Sequence, residues 1–538
     1  MKRAKKISWV LAFLFLVSAG FSCSQGPVQT KLGPDGYDAV VIGAGGGGMA
    51  AAAKLALGGL KVLVIEQLDK VGGFMSAFER GDYRFEVSLH AMDGMGIEAF
   101  DDLGIDKKVK LHKTDPAYRS VFPDANFDIP ADAEKYRQML KEKFPGESKG
   151  IDKLWKDLHS IDYIMKNLMN LEAKKNMGSS LLKIFTSPRK LWILHKFWTG
   201  NSTDMLGKYI KDPKLFTLFT QLMAYTGIDP DNVSGMLFAM MWISYHFHGF
   251  YYFEGGSQSV TKALAEVVEE HGGKVLLNTL VTKIVMKDGM ATAVKTKDGK
   301  EFPCRYVVSN ANAPDTFFKL VGREYLPKDY LQKLDNMKIG ASAYAVYLGV
   351  NKDLSGEFPP GIHSYFVNPG WDQAETFRYF REGIPEKAMF GLINYTMADP
   401  SDAPKGKNVI ALVSMMPYDY KGDWLLSQGY DKYKALKEEV AQKFIDRGTH
   451  LVPSLKSSIE LMEVGTPKTM ERYTLNPKGT IFGWEYSINQ SMFKRLPQKT
   501  PINNLYLAGA WTFPGGGQSA VLLSGLETAK MILAREKK

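Results

Sequence analysis

The sequence predicts an α/β protein of two units, one built on parallel strands and the other an α+β unit with a helical lid. Three observations carry this. Tyr37 to Glu66 reads strand, glycine turn, helix, strand. A helix, a Gly-Gly pair and two further strand segments follow from Thr261 to Val285. Between about 330 and 470 strand candidates surround a helix, and 538 residues suffice for two cores.

The first stretch is the most informative. Ala39 to Ile42 is a short apolar run, as a strand buried on both faces would be. Gly43, Ala44, Gly45 and Gly48 then form G-x-G-x-x-G, followed by an Ala- and Leu-rich helix from Met49 to Leu57. Val62 to Ile65 is the second strand and ends in Glu66, then Gln67. Gly43 permits the tight turn, Gly45 leaves room for a pyrophosphate at the backbone, and Gly48 lets helix and strand pack closely. Free N–H groups and the dipole at the helix start attract phosphate. Glu66 stands where a carboxylate can accept from a ribose hydroxyl. The unit is therefore a Rossmann-like dinucleotide binder; a glycine turn in an unrelated α/β domain is the bland alternative.

Val71-Gly72-Gly73-Phe74 follows directly, then Gly81 to Phe85. Near the C-terminus Asn504 to Ala510, including Gly509 and Ala510, is a strand entering a turn, and Trp511 to Ser519 reads WTFPGGGQS. These motifs, in this order, resemble those of two-domain flavoproteins of the amine-oxidase type: amine oxidases, phytoene desaturases, carotenoid isomerases and retinol saturases. The resemblance implies FAD as cofactor, with Gly516, Gly517, Gln518 and Ser519 wrapping the flavin end. It also implies that Val281 meets the adenine through its backbone and that Arg305 to Ala311, with Asn310, returns the chain to the cofactor. It extends over nearly everything after residue 36. The sequence departs from the family at Phe74, where amine oxidases often carry arginine, at Glu86 and at Ala510, where an acid often stands.

Composition narrows the field. Apolar content is 45% and net charge +10, which fit a globular chain and exclude disordered and collagen-like classes. No zinc finger, basic region or RNA-binding signature points to nucleic acid. The two cysteines, Cys23 and Cys304, allow no disulfide framework or metal cluster. Residues 1–23 combine Lys2, Arg3, Lys5 and Lys6 with an apolar run from Ile7 to Phe21, the pattern of a secretory signal. Cys23 points to lipoprotein processing, an exported, periplasmic or membrane-anchored protein being the expectation. An uncleaved anchor is the alternative. No twin arginine is present, so FAD would be acquired outside the cytoplasm. Residues 24–36 read as a linker.

The domain reading assigns 37–125, 250–330 and 470–538 to the FAD-binding domain, and 126–249 with 331–469 to the substrate domain and lid. A helical stripe runs from Ile151 to Met169. Leu181 to Trp198 mixes basic and aromatic residues, as a helix at a membrane surface would; an ordinary amphipathic lid helix fits equally. Met236 to Phe253 offers Trp242, Tyr245 and Tyr252 as an aromatic pocket wall for substrate.

The flavoprotein resemblance implies hydride exchange at a carbon–carbon bond of a hydrophobic polyene or isoprenoid such as a carotenoid or retinoid, by desaturation, saturation or isomerisation. Oxygen, a quinone or NAD(P)H would be the electron partner. His90 is the first acid–base candidate, placed where retinol-saturase-like sequences carry a histidine; His246, His248 and Tyr251 follow it. A flavin amine oxidase is the rival enzyme, and a prenyl-binding escort protein the non-enzyme reading. No metal-ligand spacing competes.

Overall fold

The computed structural model describes residues 36–88, 90–169 and 187–537. The signal, nearly all of the linker and residues 181–186 of the basic-aromatic segment lie outside them, as do the side chains of Leu168 and Met169.

β1 (Tyr37–Ile42), buried from Ala39 onward, lies parallel between β2 (Val62–Ile65) and the strand Glu301–Ser309. Lys274–Leu276 extends the parallel sheet beyond β2, and Leu505–Leu507 joins it beside Glu301–Ser309. All four residues of β2 are buried, as expected of a parallel strand covered on both faces. The hairpin of Val281–Lys287 and Met290–Thr296 runs antiparallel at the other end.

α1 (Gly46–Leu57) crosses from β1 to β2, with ten of its twelve residues buried. Its small side chains let the C-terminal helix Gln518–Glu536 approach closely. A Cβ at Gly525 would lie 2.1 Å from the Gly47 carbonyl oxygen, and one at Gly47 would lie 2.6 Å from Gly509 Cα. The cradle for a dinucleotide is thus closed by the far end of the chain.

The second sheet has seven strands in the order Ile459–Gly465, Ala343–Val350, Asn408–Met415, Phe390–Asn394, Ser364–Val367, Tyr118–Phe122, Ala125–Ile129. Its neighbours are antiparallel except Ser364–Val367 against Tyr118–Phe122. This moves one boundary. Residues 118–125, read with the cofactor segment, belong to the second sheet, because a parallel pairing some 240 positions away holds them there. The predicted strands at 343–350, 363–367 and 409–415 are observed within a residue, and the helix at 431–444 runs longer, Tyr430–Thr449. The helix predicted from Thr261 begins at Gly256, where Ser257 N–H and Oγ both donate to Glu86.

The units are stapled beneath their junction. Arg84 meets Asp399 at 2.9 Å and Asp402 at 2.5 Å. Burial pushes the Asp402 carboxyl up to about 7 against the pull of Arg84. Tyr347 donates to the Val87 carbonyl at 3.0 Å. A small sheet of Met92–Asp93, Phe250–Phe253 and Leu111–Lys113 fixes the segment after His90.

The lid is helical. It contains α2 (Ser148–Met169), the helix Pro188–Trp198 and α3 (Gly235–His246). Trp192 is half exposed beside Arg189 and Lys190, while Ile193 and Phe197 are buried. Lys196 is buried over the Tyr209 ring at 3.3 Å. Among the described residues no helix is long and apolar enough to cross a membrane.

Candidate functional site

A single cavity of about 540 Å³ runs from the parallel sheet into the second unit. Its first end is built by the glycine turn. Gly43 takes φ +91°, open to glycine at little cost, and its N–H donates to the Ile65 carbonyl. Gly45 precedes α1 with no side-chain cap, and no acidic residue lies in the first turn, so the helix start is left for an anion. The Glu66 carboxylate accepts from Ala44 N at 2.7 Å and Leu68 N at 2.8 Å. Burial raises its pKa, and those N–H groups oppose the rise. Glu66 therefore shapes the turn besides facing the cavity, and each oxygen keeps a lone pair for a ribose hydroxyl. Thr279 N donates to the Glu66 carbonyl, which places Val281 at the same end.

Of the residues expected to hold cofactor, Gly43, Gly45, Glu66, Gln67, Gly72, Gly73, Phe74, Val281, Asn310, Ala510, Gly516, Gly517, Gln518 and Ser519 line the cavity. Ala44, Gly48, Met49 and Gly509 lie behind it. A Cβ at Gly48 would sit 2.1 Å from the Gly43 carbonyl oxygen, so this glycine serves the packing of helix on strand. Asn310 fills the hollow between these glycines; a Cβ at Gly45 would stand 2.8 Å from its Nδ2.

The two terminal motifs meet across Ser88. Its Oγ donates to the Phe74 carbonyl at 2.7 Å and accepts from Gln518 Nε2 at 3.3 Å. Gln518 Oε1 is buried with no protein partner, as is Asp93 Oδ1 nearby on the same wall. Unpartnered buried polar atoms on a cavity wall are what a heteroatom-rich ligand would satisfy. The glycine cradle, the uncapped helix start and these acceptors fit a flavin dinucleotide.

Beyond this end the cavity is apolar and rich in methionine, including Met165, Met240, Met241, Met389 and Met415. His90 lines it, with Nδ1 3.0 Å from Tyr395 Oη. Burial keeps Tyr395 a neutral phenol, its pKa well above the ordinary value.

The other acid–base and substrate candidates are corrected, except Tyr245, which lines the cavity. In α3 every fourth residue of the set Phe238, Trp242 and His246 turns inward to the lid core, while Leu237, Met240, Met241 and Ser244 face the cavity. The Trp242 ring packs among Tyr136, Trp155, Phe219 and Phe247. His246 is buried there, and desolvation depresses its pKa to about 3. His248 bridges Asp162 at 2.9 Å and Glu98 at 3.1 Å; the Asp162 bond raises its pKa. Tyr252 is buried against Tyr395 and His363, and neither it nor Tyr251 lines the cavity. Trp242→Ala is therefore expected to act on the fold, lowering stability by about 3–5 kcal/mol in urea denaturation. Tyr245→Ala should change ligand affinity instead. A Trp242→Ala protein with wild-type stability and weakened ligand binding would restore Trp242 to the wall.

Sequence reasoning did not single out Asp93, Tyr395, Met240 or Arg495. Asp93 meets Ser519 from the far end of the chain, and Arg495 binds backbone carbonyls, which carry no residue-type signal, so no local pattern marks either.

Residues 47–533 match the model of the family "Flavin containing amine oxidoreductase". A prolycopene isomerase of an Oncidium hybrid cultivar is 29% identical over 93% of this chain and 84% of its own length. A neurosporene-forming phytoene desaturase of Rhodobacter capsulatus is 30% identical over 92% and 93%. Among solved structures, cyclohexylamine oxidase from Brevibacterium oxydans superposes with a TM-score of 0.59 at 15% identity, over 94% of this chain and 100% of that one.

Proposed function

Because the chain belongs to the family of flavin-containing amine oxidoreductases, we propose that it exchanges hydride between bound FAD and a carbon–carbon bond of a hydrophobic polyene, such as a carotenoid or retinoid. That it is an FAD-dependent oxidoreductase follows from the family and the dinucleotide cradle together. The observation that carries the substrate class is the cavity beyond the cradle: apolar, methionine-rich and continuous with the cofactor end. Such a wall suits a long apolar ligand, and methionine adapts to its shape. The named activities of the aligned isomerase and desaturase support the same class.

Bound FAD supplies the two-electron chemistry. Gly43, Gly45 and the start of α1 would take the pyrophosphate, Glu66 the ribose, and Ala510 to Ser519 the far end. The substrate domain keeps water from the polyene by its apolar lining. His90 holds or moves the proton, and the Tyr395 phenol fixes the ring through Nδ1.

One experiment compares two chemistries. The dithionite-reduced and the oxidised holoprotein are mixed anaerobically with polyenes, retinoids and amines in a stopped-flow instrument. A response of the flavin spectrum to a polyene supports the proposal. Rapid bleaching by amines with no response to any polyene would establish an amine oxidase, the reading that Tyr225, Tyr245 and Tyr486 on the cavity wall favour.

Export rests on residues 1–23 and a lipidated Cys23, and membrane contact on the exposed Trp192 beside Arg189 and Lys190. A mature N-terminus at Met1 in the cytosolic fraction would refute the first, and failure to co-sediment with anionic vesicles the second. The electron partner is proposed to be oxygen, a quinone or NAD(P)H.

A further inference from the structure

We propose that Arg495 is a fixed positive charge set one layer behind the flavin ring, where it stabilises the reduced, anionic ring. The inference rests on FAD binding and is independent of the substrate.

Arg495 is 1% exposed. Its Nη2 donates to the carbonyls of Phe482 at 2.6 Å, Trp484 at 3.1 Å and Ala510 at 2.8 Å; Nε donates to Ala510 again at 3.2 Å. Its Nη1 is buried with no hydrogen-bond partner. Among the described residues no carboxylate pairs with it; burial lowers its pKa from the ordinary arginine value, and the group that opposes the fall is Tyr486, whose ring lies 4.8 Å from the guanidinium. A buried cation without an anion is costly, and carbonyl dipoles and one aromatic face offset only part of that cost. An anion close by in the holoprotein would complete the site.

The cavity lining indicates where that anion would sit. From Val281 and Glu66 the wall passes the glycine turn, and Gly47 then touches Gly509, which leads to Ala510. A dinucleotide with ribose at Glu66 and phosphates at the turn would have its ring held by Ala510 and Gly516. Phe482, Tyr486, Ala510 and Gly516 all line that stretch, and the Tyr486 hydroxyl donates to the Gly516 carbonyl at 2.5 Å. Arg495 holds the backs of Phe482 and Ala510. A flavin ring that accepts two electrons and one proton gains one negative charge there, in a medium where a charge is poorly screened.

Other groups also face the ring. The start of the helix Gln518–Glu536 adds a positive dipole end. Asp93 lies beside that helix start, where Ser519 Oγ donates to its carbonyl at 3.5 Å, and burial favours its neutral form, so it does not cancel Arg495. Tyr245 and Tyr486 are held neutral by burial as well.

The test measures flavin midpoint potential and the spectrum of reduced flavin against pH, in the holoprotein. Arg495→Gln keeps hydrogen-bond donors and removes the charge. It is expected to retain flavin and to shift the reduction equilibrium toward oxidised flavin by at least about tenfold, about 30 mV for a two-electron couple. Arg495→Lys, which keeps the charge and loses the fork, should restore the wild-type potential. In wild type the reduced flavin should show the anionic spectrum from mildly acid to alkaline pH. An unchanged potential in Arg495→Gln makes the residue a structural fastener and overturns the proposal. Should that variant not hold flavin, the wild-type spectrum decides: a neutral reduced flavin at neutral pH overturns it, an anionic one supports it.

Discussion

Gly45→Val is expected to purify as a folded protein with no flavin absorbance. The fold should survive because Gly45 takes φ −67° and ψ 168°, which any residue adopts without strain. Its Cβ would press on the end of the Asn310 side chain, 2.8 Å away, and that amide can swing aside. The branched side chain would then stand at the uncapped start of α1, where a pyrophosphate needs to reach the backbone. Gly47→Ala is the control with the opposite outcome. There the new Cβ meets Gly509 backbone at 2.6 Å, and backbone between two buried elements cannot yield; overpacking of this kind costs about 1–3 kcal/mol or more. Absorbance near the flavin bands and thermal melting separate the two variants. A Gly45→Val protein that carries stoichiometric FAD would show that the dinucleotide does not cross this turn.

The second large effect is expected at His90. His90→Ala should keep its FAD and lose about 10²–10⁴-fold in polyene turnover, the range for removal of a general acid–base group. Tyr395→Phe should lose less, since the ring stays and only the hydroxyl 3.0 Å from Nδ1 goes. The signature is that both variants keep the flavin spectrum while turnover falls. Wild-type turnover in His90→Ala would transfer the proton role elsewhere, with the buried Asp93 next to be tested.

What the sequence made legible, and what it hid, follows from the range of the interactions involved. The unit from β1 to Glu66 could be read because its glycines, helix and acid act within thirty residues, each through its own backbone. The C-terminal motif could be read because its glycines stand together. The stretch from Met236 to Phe253 misled for a physical reason. A helix apolar on nearly every side has no polar face to show which way it turns, so Trp242 and Tyr245 look alike until the partners are known. The period of 3.6 residues, with a break at Gly249, divides what reads as one wall into core and cavity. The parallel pairing of Tyr118–Phe122 and the Arg84–Asp402 staple are long-range, and nothing near them in sequence announces them.

The contact of Gly47 with Gly509 and Gly525 also governs when the protein can acquire its cofactor. Nearly the whole chain separates these partners, so a nascent polypeptide owns the glycine turn long before it owns the helix that backs it. Loop closure over that span is slow relative to local folding. Flavin capture is therefore expected only after the helix Gln518–Glu536 has been made and has docked on the glycine turn. A C-terminal truncation that spares every residue of the dinucleotide turn should nonetheless yield a colourless protein.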